Sequence, residues 1–295
     1  MVENSRNGGH KRGEGPRRGN GKSKPRGDKK WNNERRKGGH GKRRHSQRGG
    51  AGRNDGKFHA GPNRAGFREE RMESRQQHPD IPSDIDVHDL DPSVLQDLRS
   101  LAKDNADAVA KHMIMAATWM ADDPKLALRH ARAAKDRGGR VSVVRETAGI
   151  AAYHAGEWKE ALAELRAAKR MSGGPGLVAV MADCERALGK PEKALELARE
   201  VNPQELDKDT RIELAIVAAG ARHDLGQHEA AVVELSKVDP RADAKGMSAS
   251  RLMYAYADAL LGVGRKNEAK QWFEHAQRAD VDGFLDTKDR LKELS

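Results

Sequence analysis

The chain has 295 residues, of which 36% are hydrophobic, and a formal net charge of +10 at pH 7. The charge is divided unevenly, because residues 1–80 contain 23 Lys and Arg against 9 Asp and Glu, whereas the rest of the chain is net acidic. An apolar run long enough to span a bilayer, an N-terminal secretory signal and a second cysteine to pair with Cys184 are all missing. We therefore expect a cytoplasmic protein with no membrane span.

Residues 1–79 are predicted to form a disordered basic tail. Sixteen of the 30 Gly precede residue 67 and few apolar side chains accompany them, so this segment cannot bury enough surface to offset its chain entropy. Arg48-Gly49-Gly50 and its surroundings resemble RGG-type RNA-binding segments. The resemblance implies binding of RNA, ribosomes or another polyanion by five residues: Arg43, Arg44, Arg48, Arg53 and Lys57. A tail that only solubilises the protein and one that binds an anionic membrane surface are the alternatives.

Residues 80–91 are predicted to be an acidic linker, since five of these twelve residues are Asp. They lack the fixed ligand spacing and the Gly turn of a calcium-binding loop, so we expect no metal ion there. Asp91 followed by Pro92 is typical of a helix start, with Asp at the N-cap and Pro at the first helical position. The pattern predicts a first helix that covers the open end of the following domain.

Residues 92–295 are predicted to form an all-α domain. The segment Gly156–Met171 has apolar residues at helical spacing on one face: Trp158, Ala161, Leu162, Leu165 and Ala168. Val141–Ala155, directly before it, has an apolar stripe of its own. Gly156 breaks the helical run between them, as glycine does at a turn. Together the two stripes indicate an antiparallel helix pair.

The same pattern recurs along the chain. Gly189, Gly226 and Gly264 are each followed five residues later by Ala, and Asp122 holds the equivalent place upstream. The spacings are 34, 33, 37 and 38 residues, close to the 34-residue period of helix–turn–helix repeats, with insertions in the last two. The region thus resembles a tetratricopeptide repeat (TPR) array, an α-solenoid of about five units with capping helices at both ends. The alternative is an irregular all-α bundle with incidental periodicity.

The resemblance to TPR proteins implies a binding site. In such proteins the first helices of successive pairs line a concave groove that takes a peptide, and by register that groove would here contain the following residues: His112, Trp119, Glu146, Tyr153, Ala179, Asp183, Arg186, Glu213, His223, Tyr254 and Asp258. The Lys and Asn, four residues apart, with which some TPR domains clamp acidic C-termini are missing from these positions. We therefore expect another client, and the acidic members suit a basic one.

The whole chain also resembles a group of actinobacterial TPR proteins that have a basic Gly/Arg-rich N-terminal tail and no established activity. This resemblance supports the expected fold and implies no particular reaction.

Catalytic motifs are missing from the sequence. Gly15–Ser23 ends like a phosphate-binding loop, but Pro16 stands where that motif requires glycine. Metal-ligand spacings of His and Cys and a nucleophile elbow are also missing. We expect no enzyme activity, cofactor, metal ion or small-molecule substrate. The main hypothesis is a scaffold that binds a protein or peptide client in its groove and is tethered to RNA or ribosomes by its tail. The alternative is a TPR binding module with a merely solubilising tail.

Overall fold

The structure, a computed structural model, describes Glu73 and residues 77–294. These residues contain twelve α-helices, two short 3-10 helices and no strand, which confirms the predicted all-α class. The α-helices are α1 (Pro92–Leu98), α2 (Lys103–Trp119), α3 (Pro124–Gly138), α4 (Ser142–His154), α5 (Trp158–Ser172), α6 (Val178–Ala187), α7 (Pro191–Glu200), α8 (Lys208–Asp224), α9 (His228–Ser236), α10 (Met247–Gly262), α11 (Lys266–Ala279) and α12 (Thr287–Glu293). The 3-10 helices are Val87–Asp89, within the predicted linker, and Pro203–Glu205.

Aspartate side chains begin several of these helices. Asp91 and Pro92 start α1 as predicted, and Asp91 Oδ1 accepts a hydrogen bond of 2.8 Å from the backbone N–H of Ser93. Asp123 and Asp207 cap α3 and α8 through the same kind of side-chain acceptor. Each cap satisfies an N–H group that has no partner inside its helix.

Consecutive helices pair in chain order: α2 with α3, α4 with α5, α6 with α7, α8 with α9, and α10 with α11. Each second helix also contacts the first helix of the next pair, and the first helices α2, α4, α6, α8 and α10 contact one another in series. Successive second helices make sparser contact within the described range. Between α3 and α5, ion pairs join Arg132 and Lys135 to Glu160. The first helices therefore form one face and the second helices the other.

Four of the five pairs share one kind of turn. A glycine with φ between +70° and +79° follows the first helix. The residue after this glycine donates its backbone N–H to the carbonyl oxygen of the residue five positions before itself, as Glu157 N does to Ala152 O at 2.8 Å. Only glycine adopts this left-handed conformation freely. The glycines are Gly156, Gly189, Gly226 and Gly264. The turn between α2 and α3 differs, because Asp122 keeps a negative φ and Asp123 caps the second helix.

Small residues let the paired helices approach closely. The alanines five residues after each turn position are all buried: Ala127, Ala161, Ala194, Ala231 and Ala269. Leu165 of α5 and Phe273 of α11 each stand nine residues after a turn glycine, and they are 2% and 0% exposed. Equivalent positions in distant pairs therefore have equivalent burial.

Additional helices cover both ends of this series. α1 packs against α2, and α12 packs against α11. Leu291 and Leu294 of the C-terminal segment contact the cluster around Phe273, whereas Phe284, just before α12, is 71% exposed. In the described part of the chain no helix has the length and apolar character needed to cross a membrane.

Candidate binding face of the first helices

A hydrogen-bonded network joins three of the first helices. The hydroxyl of Tyr153 on α4 donates to Asp183 Oδ2 on α6 at 2.5 Å. Arg186, one turn further along α6, donates from Nη1 to Asp183 Oδ1 at 3.2 Å and from Nε to Asp224 Oδ2 on α8 at 2.6 Å. These side chains lie at the surface of the first-helix face, so the network fixes their positions without removing them from solvent.

Gly220 makes room for this network on α8. A Cβ atom at Gly220 would lie 3.0 Å from Arg186 Cζ, so the missing side chain is what lets the guanidinium lie across the helix. Further along the same face, Arg251 of α10 forms an ion pair of 2.8 Å with Glu213 of α8. The polar contacts therefore continue from α4 to α10.

Burial raises the pKa of two side chains on this face. It raises the pKa of the Tyr153 hydroxyl well above its ordinary value of 10, and the hydrogen bond to Asp183 raises it further. Burial also raises the pKa of Glu213, with Asp209 and Asp183 contributing to the rise and Arg251 opposing it. Tyr153 therefore remains a hydrogen-bond donor at neutral pH.

The predicted groove residues fall into separate places. Tyr153, Asp183 and Arg186 lie together in the network, and Glu213 stands next to it. Tyr254 and Asp258 lie at the C-terminal end of the face. There α12 and its N-cap residue provide their partners, because the N-cap Asp286 is hydrogen bonded to Tyr254 and Arg290 of α12 forms an ion pair with Asp258. Four more are half-buried or exposed outside the network: Trp119, Glu146, Ala179 and His223.

His112 lies in the core between α2 and α3 rather than on this face. It is 2% exposed, and its Nδ1 is 3.1 Å from Nδ1 of His130, which is also buried. The ring of His78 packs edge-on against it, with centroids 5.6 Å apart. Burial, together with His130, His78 and Arg137, lowers the pKa of His112 to about 3, so the imidazole is neutral.

Cys184 is the one cysteine of the chain, and its surroundings decide its reactivity. Cys184 is buried, and burial together with Asp183 and Glu185 raises the pKa of its thiol to about 12, so it is not a nucleophile at neutral pH. No group of His, Cys, Asp and Glu in the described part of the chain has the arrangement of a metal site. The predicted nucleic-acid-binding residues Arg43, Arg44, Arg48, Arg53 and Lys57 lie outside the described residues.

Sequence reasoning missed Gly220, Asp224 and Arg251 in and beside the network, and it missed Asp286 and Arg290 at the C-terminal end of the face. Gly220 alone gave a signal, since it lies inside a helical pattern, six residues before the turn at Gly226. The arrangement can bind polar or charged groups of a ligand. No protein-family model matches the chain, and a search of curated proteins gives no match either.

Proposed function

We propose that the helical domain is a TPR-like α-solenoid and acts as a non-enzymatic scaffold that binds a client protein on its first-helix face. The observation that carries the proposal is the network from Tyr153 through Asp183 and Arg186 to Asp224, which spans α4, α6 and α8. It holds donors and acceptors of three helices in fixed positions at a surface. A pre-organised polar surface binds an extended peptide with little loss of side-chain entropy.

The charges on this face favour a basic client segment. Its acidic residues are Glu146, Asp183, Glu213, Asp224 and Asp258, and its cations Arg186, Arg251 and Arg290 each already pair with an acid. Glu146 forms no ion pair within residues 77–294 and is half-buried. Lys or Arg side chains of a client would gain the most from this acid, because its charge is not yet compensated.

The basic tail extends the proposal to a tethered adaptor. The tethering role is supported by the composition of the tail alone, which contains 23 Lys and Arg. These cations would hold a cytoplasmic scaffold on RNA or ribosomes through counterion release. RNA affinity of the full chain, compared with a chain that begins at Asp91, tests this at two salt concentrations. We expect strong, salt-dependent binding for the full chain only. Equal binding by both, or by neither, would contradict a tethering tail, and the second result favours a merely solubilising one.

The binding face itself is tested by charge reversal. Glu146→Lys with Asp183→Lys in the full chain should abolish capture of the proteins that the wild-type chain retains from a cell extract. Glu192→Lys with Glu196→Lys, both exposed on α7, changes the charge by the same amount on a second helix and should retain them. If both variants capture the same proteins as the wild type, the client does not bind on the first helices.

A further inference from the structure

A cleft opens on the other side of α8 from the network. A cavity of about 530 Å³ lies between α7, α8 and α9. It exists because α7 and α9 contain 10 and 9 residues, whereas the second helices α3, α5 and α11 contain 15, 15 and 14. α8 has 17 residues, so its N-terminal half extends past the ends of the two shorter helices α7 and α9 and is left uncovered by them.

The floor of this cleft is apolar, and at one position it has a smaller side chain than the equivalent positions of the neighbouring helix pairs. Leu206, Ile212 and Leu214 line it together with Ala215. Ala215 stands eleven residues before Gly226, and the corresponding residues of the adjacent pairs are Val178 and Met253. Those two are 0% and 1% exposed, whereas Ala215 is 8% exposed. The short side chain therefore deepens the cleft where a larger one would fill it.

The rim of the cleft is mainly positive. It has four cations, Lys208, Arg211, Lys237 and Arg241, and two acids, Glu234 and Asp239. Lys237 is bound to Glu234 at 3.0 Å, and Arg241 pairs at 3.0 Å with the exposed Asp243, a surface pair that leaves the guanidinium accessible. Lys208 and Arg211 have no ion pair within the described part of the chain. Uncompensated positive charge thus stands beside an apolar floor.

A second cavity of about 330 Å³ adjoins the first and shows where an anion would sit. Lys208, Ile212 and Arg241 line both cavities, so they stand where the two meet. Lys245 and Ser248 add a further cation and a hydroxyl to the second cavity, whose lining also includes the carboxylates of Asp209 and Asp243, the latter paired with Arg241. The apolar part of the cleft therefore lies end to end with a polar part in which three cations outnumber two carboxylates.

We propose that this cleft binds a single-chain amphiphile with an anionic head, of the class of a fatty acid or an alkyl phosphate. The apolar chain lies along the floor of the larger cavity, and the head lies between Lys208 and Arg241. The volume is that of a small-molecule site, for which about 300–1,000 Å³ is usual. Apolar lining with a few polar groups at one end is also the usual composition of such sites. This ligand is additional to the client protein and uses different residues.

The test is calorimetric titration of the full chain with dodecanoate below its micellar concentration. We expect saturable binding of one equivalent, and about tenfold weaker binding of decanoate because two methylene groups fewer are buried. Dodecyl phosphate distinguishes the two head groups, since the tighter ligand identifies the preferred one. Dodecyltrimethylammonium has the same chain with the opposite charge and should not bind. Equal affinity for this cation, or no saturable binding of either anion, would overturn the proposal.

Variants separate the cleft from non-specific binding to the basic tail. Ala215→Met fills the floor and should abolish dodecanoate binding without lowering the melting temperature. Lys208→Gln should weaken binding about tenfold or more through loss of a charged partner. Lys266→Gln is the matched control, because Lys266 is the exposed first residue of α11 as Lys208 is of α8. The tail is the same in all three. Wild-type affinity in both Ala215→Met and Lys208→Gln would show that the amphiphile binds elsewhere.

Discussion

Gly149 of α4 faces Leu165 of α5 so closely that no side chain fits between them. A Cβ atom at Gly149 would lie 2.6 Å from Cγ and Cδ2 of the buried leucine. We expect Gly149→Ala to lower the free energy of unfolding by about 1–2 kcal/mol, because overpacking outweighs the better helix propensity of alanine. Urea denaturation measures the change.

Gly262, in the last turn of α10, is the control for this substitution. The nearest atom to a Cβ there is 3.7 Å away, an ordinary contact. Gly262→Ala should therefore be neutral or stabilise the protein by up to about 1 kcal/mol. A loss of stability in both variants would mean that backbone effects, not helix contact, govern these positions.

The buried His112–His130 pair makes stability depend on pH. Burial lowers the pKa of His112 to about 3 and also lowers that of His130, whereas an unfolded histidine has a pKa near 6.5. Between these pKa values the unfolded state binds more protons than the folded state, so the free energy of unfolding falls as the pH decreases below about 6.5. Each of the two histidines contributes up to about 1.4 kcal/mol per pH unit to this fall. Urea midpoints at pH 7, 6 and 5 measure this slope. His112→Gln should reduce it, and an unchanged slope in that variant would assign the effect to other groups.

The repeat pattern predicts which side of a helix a residue occupies better than it predicts its neighbours. Tyr153, Asp183 and Arg186 share a face because helical periodicity and repeat register act together on them. His112 was placed by register in the one pair whose turn lacks glycine, and its partner His130 lies 18 residues away with no local signal. Side-chain partners on other helices depend on packing that a single sequence does not show.

At the scale of elements, the turn positions require glycine because of their backbone conformation and not because of a close neighbour. Gly189 has φ +72°, and no atom lies within 4 Å of a Cβ added there. Gly189→Ala should therefore lower the free energy of unfolding by about 1–2 kcal/mol through left-handed strain only. Gly189→Asn should lower it less, since Asn tolerates this conformation. Chemical denaturation of the two variants checks the order, and equal losses would indicate a steric cause instead.

Helix starts and turns were predictable because their signals are local, as at Asp91, Pro92 and the four turn glycines. Helix lengths were harder to predict. The longer spacings of 37 and 38 residues indicated insertions after the third and fourth pairs. They did not reveal that α7 and α9 end early, because a spacing counts residues and does not say whether they belong to a helix or to a connection. The cleft beside α8 is therefore visible only in the structure.

At the scale of the whole helical domain, each pair contacts chiefly its neighbours, so stability should be a sum of pair and interface contributions. The C-terminal helix α12 covers the last interface. Arg290 pairs with Asp258 and stands 5.4 Å from the ring centroid of Phe273, and Leu291 packs against the same cluster. Loss of α12 would expose this cluster to water.

Deletion of residues 287–295 tests how far such a loss spreads. We expect amide hydrogen exchange to accelerate in α10 and α11, which lose their cover, and to stay unchanged in α4 and α5, which lie several interfaces away. Lys288→Ala, an exposed change within α12, should leave both regions unaffected. Uniform acceleration across all pairs would show that the helices unfold as one cooperative unit, and the description as a linear series of repeats would then be wrong. Acceleration that fades from α11 towards α6 would instead measure the strength of coupling between neighbouring pairs.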